Sequence, residues 1–184
     1  MSARVESKST TDRLLVIEGL VAGVLSFIVG LAATGLLLRT DSNWRLGGGI
    51  ERIGEDVGRV FFSSHYFVDI QTPQGELNYL TDLDPGPDIS VVVYLLVPVV
   101  LLIGCGYLLA KKSSATNPAD AAIAGVSLVI GYLPLVVIGT QVFSGESFDE
   151  TVEPVFVDSL LFAGILYPIL FGAIGGYLWF SRQN

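Results

Sequence analysis

Apolar residues gather into four long runs, at 14–38, 89–110, 121–143 and 155–180, separated by polar and charged stretches. Each run reaches the roughly 20 residues that carry a helix across a ~30 Å hydrocarbon layer. Inside hydrocarbon every peptide N–H and C=O must be paired within the protein, and a helix does this locally. Four membrane-spanning helices are therefore predicted. The first run exceeds the ~7–15 apolar residues of a cleaved leader. Its small residues Ala32, Ala33 and Gly35 fall inside the run instead of after it, so it reads as an uncleaved span. The implied layout has tails at 1–13 and 181–184, a long loop at 39–88, and short loops at 111–120 and 144–154.

The period changes in the long loop. Ile50, Ile53, Val57, Val60 and Phe61 recur at helical spacing, with Glu51, Arg52, Glu55 and Asp56 opposite. This predicts a short amphipathic helix that lies on the membrane surface or caps the bundle. Glycines 47–49 break the chain ahead of it. Residues 66–71 and 76–81 are rich in aromatic and β-branched types and flank Thr72-Pro73-Gln74-Gly75, which is turn chemistry and predicts a β-hairpin. Residues 82–88 form a stiff acidic linker, with Pro87 favouring extended chain before it. Trp44 and Trp179 suit the two membrane interfaces. The fold class that results is an all-α membrane protein: a four-helix transmembrane bundle with a small extracytoplasmic helix plus β-hairpin loop.

Charge orients the bundle. Lys and Arg near span ends are retained on the cytoplasmic side. Arg4, Lys8 and Arg13 precede the first span, Lys111 and Lys112 follow the second, and Arg182 follows the fourth. The 144–154 loop has no basic residue and carries Glu146, Asp149, Glu150 and Glu153. In the long loop Arg39, Arg45, Arg52 and Arg59 face nine acids, but long segments translocate largely regardless of charge. Both termini are expected in the cytoplasm of a multi-pass cell-membrane protein, with the acids outside. The whole chain has 18 acidic against 10 basic residues, a net charge of −8. An acidic, lysine-poor outer face suits very high salt, where screening removes self-repulsion; an ordinary solvated acidic face is the plainer alternative.

Within the spans, small residues recur at helical spacing: Gly19 and Gly23; Ala22, Ser26, Gly30 and Thr34; Ala121 and Gly125; and Gly164, Pro168, Gly172 and Gly176. Such stripes let helices approach closely, in internal packing more readily than in a homo-oligomer. Pro98, Pro134 and Pro168 each remove a helix hydrogen bond, and Tyr94, Tyr132 and Tyr167 accompany them. Kinked helices of this kind could line a transport path, or be static. No Asp, Glu, His, Lys or Arg sits near the middle of any run, where a transporter or proton relay usually keeps one. Glu18 lies a turn inside one end and can snorkel. Asp158, a turn inside the end of the fourth run, is the better functional candidate. Cys105, the sole cysteine, excludes an intrachain disulfide and reads as a small packing residue.

The spans hold no HExxH, no Ser/His pair, no aspartate pair and no redox cysteine pair. The expectation is no enzyme, no catalytic residues, no cofactor and no dedicated metal site. His65 with Asp69 would supply two ligands only, and a hydrogen-bonded structural histidine at a chain bend is the preferred reading. The acidic balance argues against nucleic acid.

Residues 58–69, GRVFFSSHYFVD, resemble a stretch in a family of uncharacterised haloarchaeal four-span membrane proteins, in which a helix ending in aromatics runs into a histidine and a hydrophobic strand. The resemblance rests on Phe61, Phe62, His65, Phe67 and Val68 and on the layout of the whole chain. It implies architecture and a salt-adapted acidic exterior, and it brings no activity. The plan is also similar to claudin-like tetraspans, although their loop disulfide has no counterpart here. The expected partners are the lipid bilayer and a membrane protein or a second copy of the chain. The expected function is a non-enzymatic scaffold or partner-binding subunit. The alternatives are a small-solute or ion permease with Asp158 at its mouth, and an accessory sensor of cations or pH built on His65.

Overall fold

The computed structural model describes residues 2–44, 49–113, 115–147 and 150–183. Gly47, Gly48, Arg45 and Asp149, named above, lie outside them. Four helices are long and apolar enough to cross a membrane: Leu15–Thr40, Val91–Ser113, Pro118–Val142 and Phe156–Ser181. They are spans 1 to 4 below. Span 1 is part of a longer helix that begins at Ser2, so the expected N-terminal tail continues the helix. Leu36, Val100, Leu108 and Leu161 stand half or more exposed on the bundle surface, as side chains that face lipid do. The protein is a multi-pass four-helix membrane bundle.

Local chemistry sets the helix ends. Asn117 caps span 3 by accepting the Asp120 N–H at 2.9 Å, with Pro118 just inside; there its missing N–H costs nothing. Lys111 and Lys112 close span 2 at its negative dipole end. The helical irregularities fall partly away from the prolines. Span 3 breaks at Ser127–Leu128, several residues before Pro134. In span 4 a wide π-helical stretch, Ser159–Leu166, runs up to Tyr167 and Pro168. The proline's missing N–H thus falls where the winding switches back to α. Pro98 and Pro168 are buried, whereas Pro134 faces outward.

Glycine fixes the inner packing. A Cβ on Gly172 would strike the Gly125 backbone, and one on Gly106 or Gly125 would strike that of Gly172. Gly175 lies against Ile103 and Gly176 against Ala121, while Gly19 and Gly23 lie against the carbonyls of Ser127 and Leu128 at the break in span 3. These stripes are occupied by neighbouring spans of the same chain, in the close backbone contact that small residues permit.

The end of the bundle that carries the tails is tightly closed, because span 2 packs there against 118–126 and both pack against 167–181. Towards the other end, which we call the cap end, 129–142 leans instead on spans 1 and 4. A wedge opens between spans 2 and 3, and the loop fills it. The amphipathic helix Ile50–Ser63 runs its last turn into the wedge. There Phe61 lies against Gly30, where Leu101 also stands, and Phe62 lies against Gly139. Phe27 meets both Phe61 and Tyr132 edge-to-face, at 5.2 and 5.4 Å.

Above the wedge sits a four-stranded antiparallel sheet in the order β2-β1-β4-β3. Its strands are β1 Ile70–Thr72, β2 Gly75–Leu77, β3 Gly145–Ser147 and β4 Glu150–Pro154. The hairpin exists but is shorter than the pattern suggests. Thr72 pairs with Gly75 across Pro73 and Gln74, and the φ of +124° at Gly75 requires glycine. Residues 66–69 bend at Tyr66 instead of pairing, and Asn78 ends the second strand by turning its side chain to that bend. The 144–154 segment, expected as an acidic loop, supplies β3 and β4; Gln71 pairs with Glu153 and Ile70 with Pro154. The 39–88 and 144–154 loops therefore form one cap.

Gly172→Val should cost ~2 kcal/mol or more by overpacking. Gly104→Ala, at a position with open space around its Cα, should be near neutral. Thermal unfolding of the purified protein in detergent separates the two.

Candidate functional site: the cap–bundle junction

The helix Ile50–Ser63 terminates in a turn that carries His65 inward. The Ser64 N–H bonds the Val60 carbonyl at 2.9 Å and the His65 N–H bonds that of Phe62 at 3.0 Å, after which Tyr66 reverses the chain with φ +60°. His65 is 1% exposed. Its Nδ1 lies 3.0 Å from the Phe61 carbonyl oxygen and 3.2 Å from that of Phe62. Carbonyls only accept, so Nδ1 carries the proton, Nε2 is bare, and the Tyr132 hydroxyl donates to Nε2 at 2.9 Å. Rings of Phe61 and Tyr167 pack edge-on at 5.2 and 5.0 Å.

Tyr132 stands ten residues from the cap-end terminus of span 3 at Val142. That is about 15 Å along a helix axis, near half of a ~30 Å layer. The spans themselves contribute no Asp, Glu, His, Lys or Arg at that depth, as the sequence pattern indicates, but the loop delivers a histidine. Burial pushes the His65 pKa down to about 4 against the opposing pull of the Phe62 and Phe61 carbonyls. The imidazole is neutral at pH 7, with both nitrogens engaged and neither left for a metal.

Three further side chains fasten the junction, and none is visible as a motif. Asn78, buried, donates through Nδ2 to the carbonyls of Ser63, Tyr66 and Val68 at 3.2, 3.0 and 3.1 Å and accepts the Leu80 N–H at 3.0 Å. One amide thus holds both sides of the bend around His65. Arg59 donates from Nε to the Phe143 carbonyl at 3.2 Å and pairs with Glu55 at 3.1 Å and Asp56 at 3.4 Å. This pins the cap helix to the end of span 3. Burial raises the Asp56 pKa despite the pull of Arg59 and Arg52.

Asp41 follows span 1 and is 3% exposed. Its carboxylate accepts the N–H groups of Asp88, Ile89 and Asn43 at 3.0, 3.0 and 3.1 Å and the Tyr94 hydroxyl at 3.0 Å. It thereby ties span 1 to the start of span 2. Burial alone would raise its pKa; the four donors together outweigh that and hold it below the usual 3.8. An acid at a helix C-terminus is unfavourable by dipole, and this conflict was the one sequence signal that Asp41 serves another element.

Asp69 and Asp158 are half-buried at the cap end. Among the described residues Asp69 makes no side-chain bond to His65. Burial first, then the charges of Asp158, Asp82 and Glu76, raises its pKa, while its backbone carbonyl accepts the Val155 N–H at 2.9 Å. The structure therefore separates His65 from the carboxylate that lies near it in sequence and sets Asp69 near Asp158. Among the described residues no three His, Cys, Asp or Glu side chains gather as a metal site. Pro98, Pro168, Gly172 and Gly176 belong to the interior contacts between spans, and Pro134 to the outer surface.

A membrane-spanning bundle closed at one end by an aromatic wedge, with a buried neutral histidine at its tip, defines a multi-pass membrane protein whose cap is continuous with its core. The chain belongs to a family of unknown function, DUF7978, whose model matches residues 1–182. It matches no curated protein and no solved structure.

Lowering the pH should loosen this junction. A folded pKa near 4, against 6.5 for a free imidazole, means that the stabilisation from keeping His65 neutral is complete above pH 6.5. It is lost at up to about 1.4 kcal/mol per unit as the pH falls towards 4. Melting curves in detergent at pH 7.5 and 4.5 should differ for the native protein and differ much less for His65→Gln. Asp41→Ala should cost ~3 kcal/mol by leaving a buried hydroxyl and backbone donors unmet. The benefit of the native carboxylate should be full above pH 3.8 and be lost as the pH falls through its lower folded value, which further melting curves below pH 3.8 resolve.

Proposed function

We propose that this protein is a non-enzymatic membrane scaffold that holds a rigid extracytoplasmic cap for a membrane-protein partner or a second copy of itself. The observation that carries this reading is the junction. His65 bonded to Tyr132 and Arg59 bonded to Phe143 join the cap, itself braced by Asn78 across the bend, to a bundle whose helices meet backbone to backbone. A surface built this way keeps its shape, as a docking platform requires. Lys111, Lys112 and Arg182 at the tail end, against the acids of the cap, support an orientation with both termini in the cytoplasm. Asp69 beside Asp158, Asp82 and Glu76 supports a cap suited to a salt-rich exterior of the haloarchaeal kind, where screening offsets their repulsion. A permease would need a path where Phe61, Phe62 and His65 are packed, and the scaffold needs none.

Tyr66 and Phe67 are half exposed on the cap, packed edge-on at 4.9 Å. A photo-crosslinking residue at either position, activated in native membranes, should give one discrete adduct, a heteromer or a homodimer. If both positions give lipid adducts only, the scaffold reading fails. If liposomes carrying the protein show solute flux that Asp158→Asn alters, the permease replaces it.

A further inference from the structure

The tail end of the bundle carries two lipid-facing grooves side by side. One, of about 530 Å³, runs between spans 2 and 4 past Val100, Gly104 and Tyr107 to Leu178 and Arg182. The other, of about 410 Å³, runs between spans 1 and 2 past Val21, Leu25 and Leu109 to Glu18 and Lys112. Cys105 and Leu108 line both grooves, and Leu108, 61% exposed, is the ridge between them.

We propose that this pair of grooves binds one anionic membrane lipid with two hydrocarbon chains, its chains straddling Leu108 and its phosphate at the tail-end rim. Two parallel apolar channels separated by a single side chain match two chains joined at one headgroup. Gly104 holds the first channel open, since no atom lies within 4 Å of where its Cβ would be. Both channels end at cations. Lys111 and Lys112 follow Leu108 by three and four residues and so share its face. The Arg182 guanidinium stands 5.8 Å from the centre of the Tyr107 ring, a cation–π contact that places it at the mouth of the first channel. Lys112 is 2.9 Å from Glu18 and still 67% exposed. Among the described residues that line the grooves, Lys112 and Arg182 stand against the single carboxylate of Glu18, and with Lys111 beside Lys112 this makes a positive mouth that a phosphate complements and a zwitterionic headgroup matches poorly.

Native mass spectrometry of the full chain in mild detergent tests this, with phosphatidylglycerol, phosphatidylcholine of the same chains and lysophosphatidylglycerol as probes. One phosphatidylglycerol should be retained about tenfold more than either other lipid, on the strength of the basic rim and the second chain. The combined variant Lys111→Gln, Lys112→Gln, Arg182→Gln, at positions outside the core, should bring phosphatidylglycerol down to the phosphatidylcholine level. Gly104→Leu should weaken both two-chain lipids while leaving the melting temperature unchanged. Equal retention of anionic and zwitterionic lipid would overturn the proposal, as would equal retention of one-chain and two-chain anionic lipid. A dimer that Gly104→Leu dissociates would assign the grooves to a second copy of the chain and overturn it as well.

Discussion

The wedge between spans 2 and 3 is the constraint on which the remaining structure depends. Close glycine contacts draw the helices together at the tail end, and they diverge towards the cap. Lipid chains could not fill a gap inside the bundle without losing packing contacts, and water there would face apolar walls. The space is filled instead by Phe61, Phe62 and His65 from the loop. A helix end inserted at that depth brings unpaired carbonyls with it, and the protonated Nδ1 of His65 sits against two of them. A histidine suits this position because it can donate to backbone on one side and accept from Tyr132 on the other while remaining neutral.

Once the wedge is filled, the cap follows. The bend after His65 directs residues 70–72 across the top of the bundle, where they pair with 75–77 on one edge and 150–154 on the other. Arg59 fixes the opposite side of the cap helix to Phe143, and Asp41 closes the loop at its base by binding both of its ends. Each fastener satisfies backbone groups that would otherwise stand unpaired at a membrane boundary, where such a loss is costly.

Charge is divided between the two ends of the bundle, and its consequences differ at each. At the cap, burial first and then the neighbouring charges of Asp158, Asp82 and Glu76 raise the proton affinity of Asp69. At the tails, cations stand at the mouths of apolar grooves. The middle of the bundle is neutral because its one ionisable guest, His65, is too deeply desolvated to hold a proton at pH 7.

Much of this protein was legible in the chain itself. Four apolar runs of spanning length must become helices in hydrocarbon, because no other local structure pairs every peptide group, and the 3.6-residue spacing from Ile50 to Phe61 marks the cap helix just as directly. The glycine stripes announced close packing, although only contact geometry assigned Gly172 to Gly125 and Gly19 to Ser127. The candidate site was half legible. His65 stood out as the sole histidine, yet its partner lies 67 residues away in span 3, a separation on which periodicity is silent. Asn78 acts through backbone groups of distant residues and leaves no pattern, and Asp41 leaves only the mismatch of an acid at a helix C-terminus. The strands at 145–147 and 150–154 were hidden because Val152 is their one large apolar residue, too little alternation to signal a sheet. They form because β1 offers an unpaired edge beside them. Local rules fixed which segments cross the membrane; only the tertiary structure, through the space that unevenly packed helices leave between them, decided what the loop must place there.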